Sequence, residues 1–119
     1  VRAFDQDPGS FYLADNLGQV SLALGDTEGA VDAYRHALRI LGPSPMGSVW
    51  GAATAATAHL VLRDESRALE VMARLSEMDK TDAELATVLE GLERVRFCLG
   101  LPEERMRLWT DVLTASTRV

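Results

Sequence analysis

The sequence predicts an all-α domain built from six helices in three helix–turn–helix units. Alanine and leucine dominate the chain and Ile40 is the sole isoleucine, a composition that favours helix over strand. Turn and capping residues then divide the chain into six segments of helical length. Apolar residues also recur at fixed offsets, which is the signature of a repeated helical unit.

Composition limits the classes of function. The chain has 119 residues, of which 47% are hydrophobic and 25% charged, and its formal net charge is −6. This apolar content argues against disorder, and no uncharged apolar run is long enough to cross a membrane. The acidic balance argues against a nucleic-acid surface, and the single cysteine excludes an internal disulfide or a cysteine-based zinc site. Because Cys98 lies between Phe97 and Leu99, we expect a buried thiol.

The predicted helices cover residues 8–24, 27–41, 45–62, 65–78, 82–99 and 102–115. Asp7-Pro8 and Ser44-Pro45 each read as an N-cap followed by proline in the first turn, and Asp26 and Asp64 read as N-caps after leucine-rich runs. Thr81 and Glu84 fit a capping box. Pro102 opens the last helix, with Glu103 and Glu104 near its positive dipole end.

The repeat is visible when the chain is compared with itself. Leu22–Asp26 aligns with Leu60–Asp64 at an offset of 38 residues and with Phe97–Leu101 at an offset of 75. The alignment continues into the second helix of each unit, where Tyr34, Met72 and Trp109 share one position. We expect these three side chains to pack in the core, because a single helix pair cannot bury its own apolar face.

The first unit resembles a tetratricopeptide repeat (TPR). The residues that carry the resemblance are Leu17-Gly18, Leu24-Gly25-Asp26, Ala30, Tyr34, Ala37-Leu38 and Pro43. The later units depart from the pattern at Ala55-Ala56, Arg63, Glu93 and Arg105, and the offsets exceed the usual ~34 residues. The resemblance implies a right-handed superhelix of units at about 8–43, 44–80 and 81–117. We expect one domain over 1–119, cut from a longer cytoplasmic bacterial protein.

The chain carries no recognisable catalytic motif. His36 and His59 fall in different units and neither has a ligand-type neighbour at helical spacing, so we expect no metal site. The glycines are scattered through turns and form no phosphate loop, and the carboxylate pairs stand at helix starts. We therefore expect no enzymatic activity and no cofactor.

TPR proteins bind ligands on the concave face formed by the first helix of each unit. Spacings of three and four residues place one stripe of each first helix on this face. The candidate groove residues are Tyr12, Asp15, Gln19, Trp50, Thr54, Thr57, Thr87, Glu90, Arg94 and Phe97. The basic clamp of chaperone-binding TPR domains is absent, because Asp15 and Gln19 occupy two of its positions. The stripe suits a protein or peptide with apolar anchors and a basic side chain near Asp15 or Glu90.

Two alternatives remain at this stage. The units could form an intramolecular spacer or sensor array within a multidomain signal-transduction ATPase or transcriptional regulator. They could also enclose a small molecule, since the alanine-rich middle unit leaves room for a cavity. For the interaction module, we expect Leu108, Val112 and Leu113 of the last helix to contact a further unit or a partner, including a second copy of the chain.

Overall fold

The computed structural model describes residues 11–42 and 48–115, and these residues form six helices without a strand. The helices are α1 (Phe11–Ala23), α2 (Thr27–Leu41), α3 (Val49–Val61), α4 (Glu65–Glu77), α5 (Asp82–Leu99) and α6 (Glu103–Leu113). The predicted all-α class and number of helices are confirmed. The Asp7-Pro8 and Ser44-Pro45 signals, and the chain beyond Ala115, lie outside the described residues.

The helix starts follow capping chemistry, with one correction. Asp26 and Asp64 accept hydrogen bonds from the backbone N–H groups three residues later, and Thr81 with Glu84 forms the reciprocal capping box. The predicted start of the third helix at residue 45 is wrong. Ser48 is in extended conformation and its Oγ accepts from Gly51 N at 3.0 Å, so the serine nearest the apolar run caps this helix.

The turn between the two helices of a unit has the same geometry three times. Gly25, Arg63 and Gly100 stand at equivalent repeat positions and have φ angles of 77°, 64° and 69°. In each turn the residue after the left-handed one donates its backbone N–H to the carbonyl oxygen five residues earlier. The three acceptors belong to Ser21, His59 and Arg96. This is the Schellman pattern, which favours glycine at the left-handed residue. Arg63 adopts it with a side chain, at a cost of about 1 kcal/mol.

The first helices of the three units form one layer. α1, α3 and α5 all contact one another, while α2 packs on α1 and α3, and α4 packs on α3 and α6. A regular array lets each unit touch only its neighbours. Here the first and third units meet directly through α1 and α5, so the radius of gyration is 13.5 Å, the value of a compact domain of this length.

The repeat position that Tyr34, Met72 and Trp109 share lies in the core, as predicted. Tyr34, Met72 and Trp109 are all fully buried. Gly18 lies directly against Tyr34, and a Cβ added to Gly18 would overlap the tyrosine ring. The absence of a side chain at Gly18 therefore allows α2 to approach α1 closely.

The expected buried thiol is wrong, because Cys98 is exposed. Helix α5 turns Val88, Leu92 and Val95 toward the core, at spacings of four and three residues. Leu99 continues the core-facing side at the end of the helix, while Cys98, one residue earlier, is rotated away from that side and follows the exposed Phe97. The apolar neighbours of Cys98 in sequence do not surround it in space.

Candidate functional site

The three first helices enclose a cavity of about 170 Å³ at their junction, which we call the groove cavity. Eight of the ten predicted groove residues line it. They are Tyr12, Asp15 and Gln19 from α1, Trp50, Thr54 and Thr57 from α3, and Thr87 and Arg94 from α5. Residues from three separate segments of the chain therefore converge on one opening.

Glu90 and Phe97 lie outside the groove cavity. Both are exposed, and the exposed fraction of Phe97 is 75%. Val88 and Leu92 of α5, which sequence reasoning missed, line the cavity together with Gly91. The face of α5 that meets the cavity is thus rotated from the predicted stripe toward the core, because α5 leans on both α1 and α3.

One lining residue of the groove cavity, Asp15, accepts a part-buried hydrogen bond that links helices α1 and α2. The Tyr34 hydroxyl donates to Asp15 Oδ1 at 2.6 Å. Burial, reinforced by the negative charge of Asp15, raises the pKa of the Tyr34 phenol far above its usual value. Tyr34 therefore remains a donor at neutral pH and holds Asp15 at the cavity. Asp15 itself lines the groove cavity, so its carboxylate can also meet a ligand there.

Two threonines in the wall of the groove cavity are almost completely buried. Thr54 and Thr57 are 5% and 7% exposed. No hydrogen bond within residues 11–42 and 48–115 engages either hydroxyl, whereas Thr87 Oγ1 donates to the Ala83 carbonyl at 3.0 Å. Both residues line the groove cavity, so water or a ligand group there can pair with their hydroxyls.

The groove cavity offers contacts of several kinds but no catalytic arrangement. Tyr12 and Trp50 provide apolar surface, the threonines provide hydroxyls, and Asp15 and Arg94 provide opposite charges. Over the described part of the chain, no group of three or more His, Cys, Asp or Glu side chains could hold a metal ion. This combination can bind an apolar side chain with a polar or basic tip.

A second cavity, of about 520 Å³, lies on the opposite face of α3 between α2 and α4. Ala55 and His59 line it from α3, and three arginines surround its mouth: Arg39, Arg67 and Arg74. Burial lowers the pKa of His59, so the imidazole is neutral at pH 7. Sequence reasoning missed this cleft because its arginines come from two helices. Arg39 lies on α2, and Arg67 and Arg74 lie on α4.

Comparisons with known proteins add no assignment: no protein-family model, curated protein or solved structure matches this chain. In the two described ranges, no helix has both the length and the apolar character needed to cross a membrane.

Proposed function

We propose that this chain is a non-catalytic interaction module with a TPR-like superhelix whose concave face binds a protein or peptide partner. The observation that carries the proposal is the convergence of eight groove residues from α1, α3 and α5 on one cavity. The residue types fit recognition, because tyrosine, tryptophan and arginine are the side chains most enriched at binding hot spots.

The size of the groove cavity indicates what enters it. Its volume of about 170 Å³ is close to the ~150 Å³ cavity that holds one benzene. Drug-sized ligands need about 300 Å³ or more. The cavity thus suits one anchoring side chain of a partner, with Trp50 and Tyr12 against its apolar part.

The charges favour a hydrogen-bond donor at the tip of that anchoring side chain. Asp15, Thr54 and Thr57 all line the groove cavity, and the predicted second acid, Glu90, lies outside it. A tyrosine or lysine of the partner would place apolar atoms against Trp50 and a donor near Asp15.

The test is a selection of random peptides displayed on phage against the immobilised domain, followed by affinity measurement with the selected peptides. Thr57→Val keeps the shape of the side chain and removes its hydroxyl, so we expect weaker binding, by about fivefold or more, with the free energy of unfolding unchanged or higher. Asp15→Asn should weaken binding of peptides with a basic anchor by about tenfold.

Phe97→Ala and Glu90→Gln are matched controls, because both residues are exposed and outside the groove cavity. The proposal predicts that these two variants bind the selected peptides as the parent chain does. It is contradicted if Phe97→Ala or Glu90→Gln weakens binding and Thr57→Val and Asp15→Asn do not, or if no peptide is selected.

A further inference from the structure

The second cavity, on the side of α3 away from the groove cavity, combines an apolar wall with a basic mouth. We call it the arginine cleft, after Arg39 of α2 and Arg67 and Arg74 of α4. Its volume of about 520 Å³ falls within the range of pockets that hold small molecules, roughly 300–1,000 Å³. The apolar wall comes from three further lining residues, Leu38, Ala55 and Val71.

The arginine cleft exists because α2 and α4 both pack on α3 without closing on each other. Among the described residues, α2 and α4 have no mutual contact comparable with the contacts that each makes to α3. One unit later in the array, α4 packs directly on α6. The space between two successive second helices is therefore open only in the first interval, and side chains of α2 and α4 line it from two sides.

The arginine cleft is basic although the chain is acidic. Acidic residues outnumber basic ones by 18 to 12 in the whole chain. Among the described residues, however, three arginines line the cleft against one carboxylate, that of Glu70. Burial lowers the pKa of His59, which leaves this lining residue neutral at pH 7. The cleft thus has a formal excess of two positive charges.

The three guanidinium groups retain donors for a ligand. Within residues 11–42 and 48–115, no carboxylate forms an ion pair with Arg39 or Arg74. Arg39 Nη2 contacts the His36 imidazole at 3.0 Å. Arg67 Nε lies 3.4 Å from Asp64, and the Arg67 side chain is 70% exposed, so this ion pair is weak. Since a guanidinium has five N–H donors, each arginine can donate to a further acceptor.

The repeat shows that packing does not require arginine at these positions. At the repeat offsets found in the sequence, all four charged positions of the cleft carry the opposite charge one unit later. The equivalents of Arg39, Arg67, Arg74 and Glu70 are Glu77, Glu104, Asp111 and Arg107. The positive charge is therefore specific to this interval and is not a property of the repeat.

We propose that the arginine cleft binds a small organic anion, a phosphate monoester with a compact apolar body. A doubly charged phosphate matches the excess of two positive charges, and the planar fork of arginine donates paired hydrogen bonds to phosphate oxygens. The apolar body lies against the wall formed by Leu38, Ala55 and Val71. Because the groove cavity opens on the other side of α3, the two sites can be occupied together.

The experiment is a titration of the ¹⁵N-labelled 119-residue chain with phenyl phosphate at constant ionic strength, followed by amide chemical shifts. We expect saturable changes at Leu38, Val71 and Arg74, with a Kd of about 1 mM or lower. The amides of α1 and α5, which do not line the cleft, should stay in place. Inorganic phosphate should bind at least about threefold more weakly, because it has no apolar body. Benzoate, with one negative charge, should bind at least about fivefold more weakly.

The variants Arg39→Gln and Arg74→Gln should each raise the Kd for phenyl phosphate by about fivefold or more, because each removes a charged donor. Arg107→Gln is the matched control, since Arg107 is exposed on α6, lines neither cavity and changes the net charge by the same amount. Its Kd should equal that of the parent chain. Circular dichroism checks that all three variants keep the helical content of the parent.

Three results would overturn the proposal. The first is the absence of any saturable change with phenyl phosphate up to about 10 mM. The second is an Arg107→Gln variant that loses as much affinity as Arg74→Gln, which would indicate general attraction to arginine side chains. The third is benzoate binding as tightly as phenyl phosphate, which would show that the cleft does not select a doubly charged group.

Discussion

The first and third units each contain a buried aromatic residue whose polar atom donates to a carboxylate, yet the two carboxylates differ. Tyr34 and Trp109 stand 75 residues apart at the same repeat position. Tyr34 donates to Asp15 at 2.6 Å, and Trp109 Nε1 donates to Glu65 at 3.0 Å. Glu65 is also held by two nitrogens of Arg105, at 2.9 and 2.5 Å.

The difference indicates which carboxylate is structural. Both oxygens of Glu65 are engaged by Arg105 and Trp109, so this residue ties the start of α4 to α6. Asp15 uses one oxygen for Tyr34 and directs the rest of its carboxylate to the groove cavity. We infer that the same position of the repeat supports packing in the third unit and supports binding in the first.

The largest expected effect on stability is that of replacing Trp109, the buried aromatic residue of the third unit, with alanine. Trp109→Ala should lower the free energy of unfolding by about 3–5 kcal/mol, because it empties a core position and removes a donor from Glu65. Tyr34→Phe keeps the ring and should cost about 1 kcal/mol. Urea denaturation followed by circular dichroism measures both. Equal losses for the two variants would contradict the structural role of the Trp109 pair.

The next largest effect on stability is expected at the close contact between Gly18 and the Tyr34 ring. Gly18→Ala should lower the free energy of unfolding by about 1–3 kcal/mol, because its methyl group would overlap the Tyr34 ring. Gly91→Ala is the matched control, since a Cβ there meets no atom within 4 Å. In a helix this control should raise stability by up to about 1 kcal/mol. A neutral Gly18→Ala would show that α1 and α2 are not so closely packed.

Tyr34 can lose its proton at high pH and Trp109 cannot, so the pH dependence of stability distinguishes the two aromatic pairs. Because burial raises the pKa of Tyr34, the folded chain keeps its proton when the unfolded chain releases it above pH ~10. Stability from this residue is therefore present below pH ~10 and is lost as the pH rises, by up to about 1.4 kcal/mol per pH unit. Tyr34→Phe should reduce this slope, because phenylalanine has no proton to release. A Tyr34→Phe chain with the parent slope would contradict the buried phenol.

The smallest effect is expected at the ion pair. Arg105→Gln should lower the free energy of unfolding by about 1 kcal/mol or less, because both side chains of the pair are 35% exposed. The difference in free energy of unfolding between this variant and the parent chain should be smaller in high salt. Peptide binding should be unchanged, since Arg105 does not line the groove cavity. Weaker binding by this variant would show that Glu65 is not purely structural.

Local signals predicted most of the fold. The caps at Asp26, Asp64 and Thr81 are recognisable because they depend on residues three positions apart, and the three turns repeat because their left-handed residue recurs at fixed offsets. The start of α3 was misplaced because two serines, Ser44 and Ser48, offer competing caps. Ser48, the serine nearest the apolar run, caps α3, so the distance of a serine from that run is the local signal that separates the two.

The residues of the candidate site were predictable where their placement depends on the helical period. They were not predictable where it depends on how a helix is rotated against its neighbours. Spacing alone placed Tyr12, Asp15 and Gln19 on one side of α1. The rotation of α5, which excludes Phe97 and admits Gly91, follows from the contact between α1 and α5. The pairing of Tyr34 with Asp15 also joins residues 19 positions apart, beyond the reach of a repeat pattern.

The central claim is that the groove cavity binds a protein or peptide partner. The most direct test is a titration of the ¹⁵N-labelled chain with a selected peptide, followed by amide chemical shifts. We predict that the largest changes fall on Thr54, Thr57 and Gly91. The claim is contradicted if the changes concentrate on Leu13, Leu17 and Val20, which are exposed on α1 outside the groove cavity, while the amides of the groove cavity stay in place.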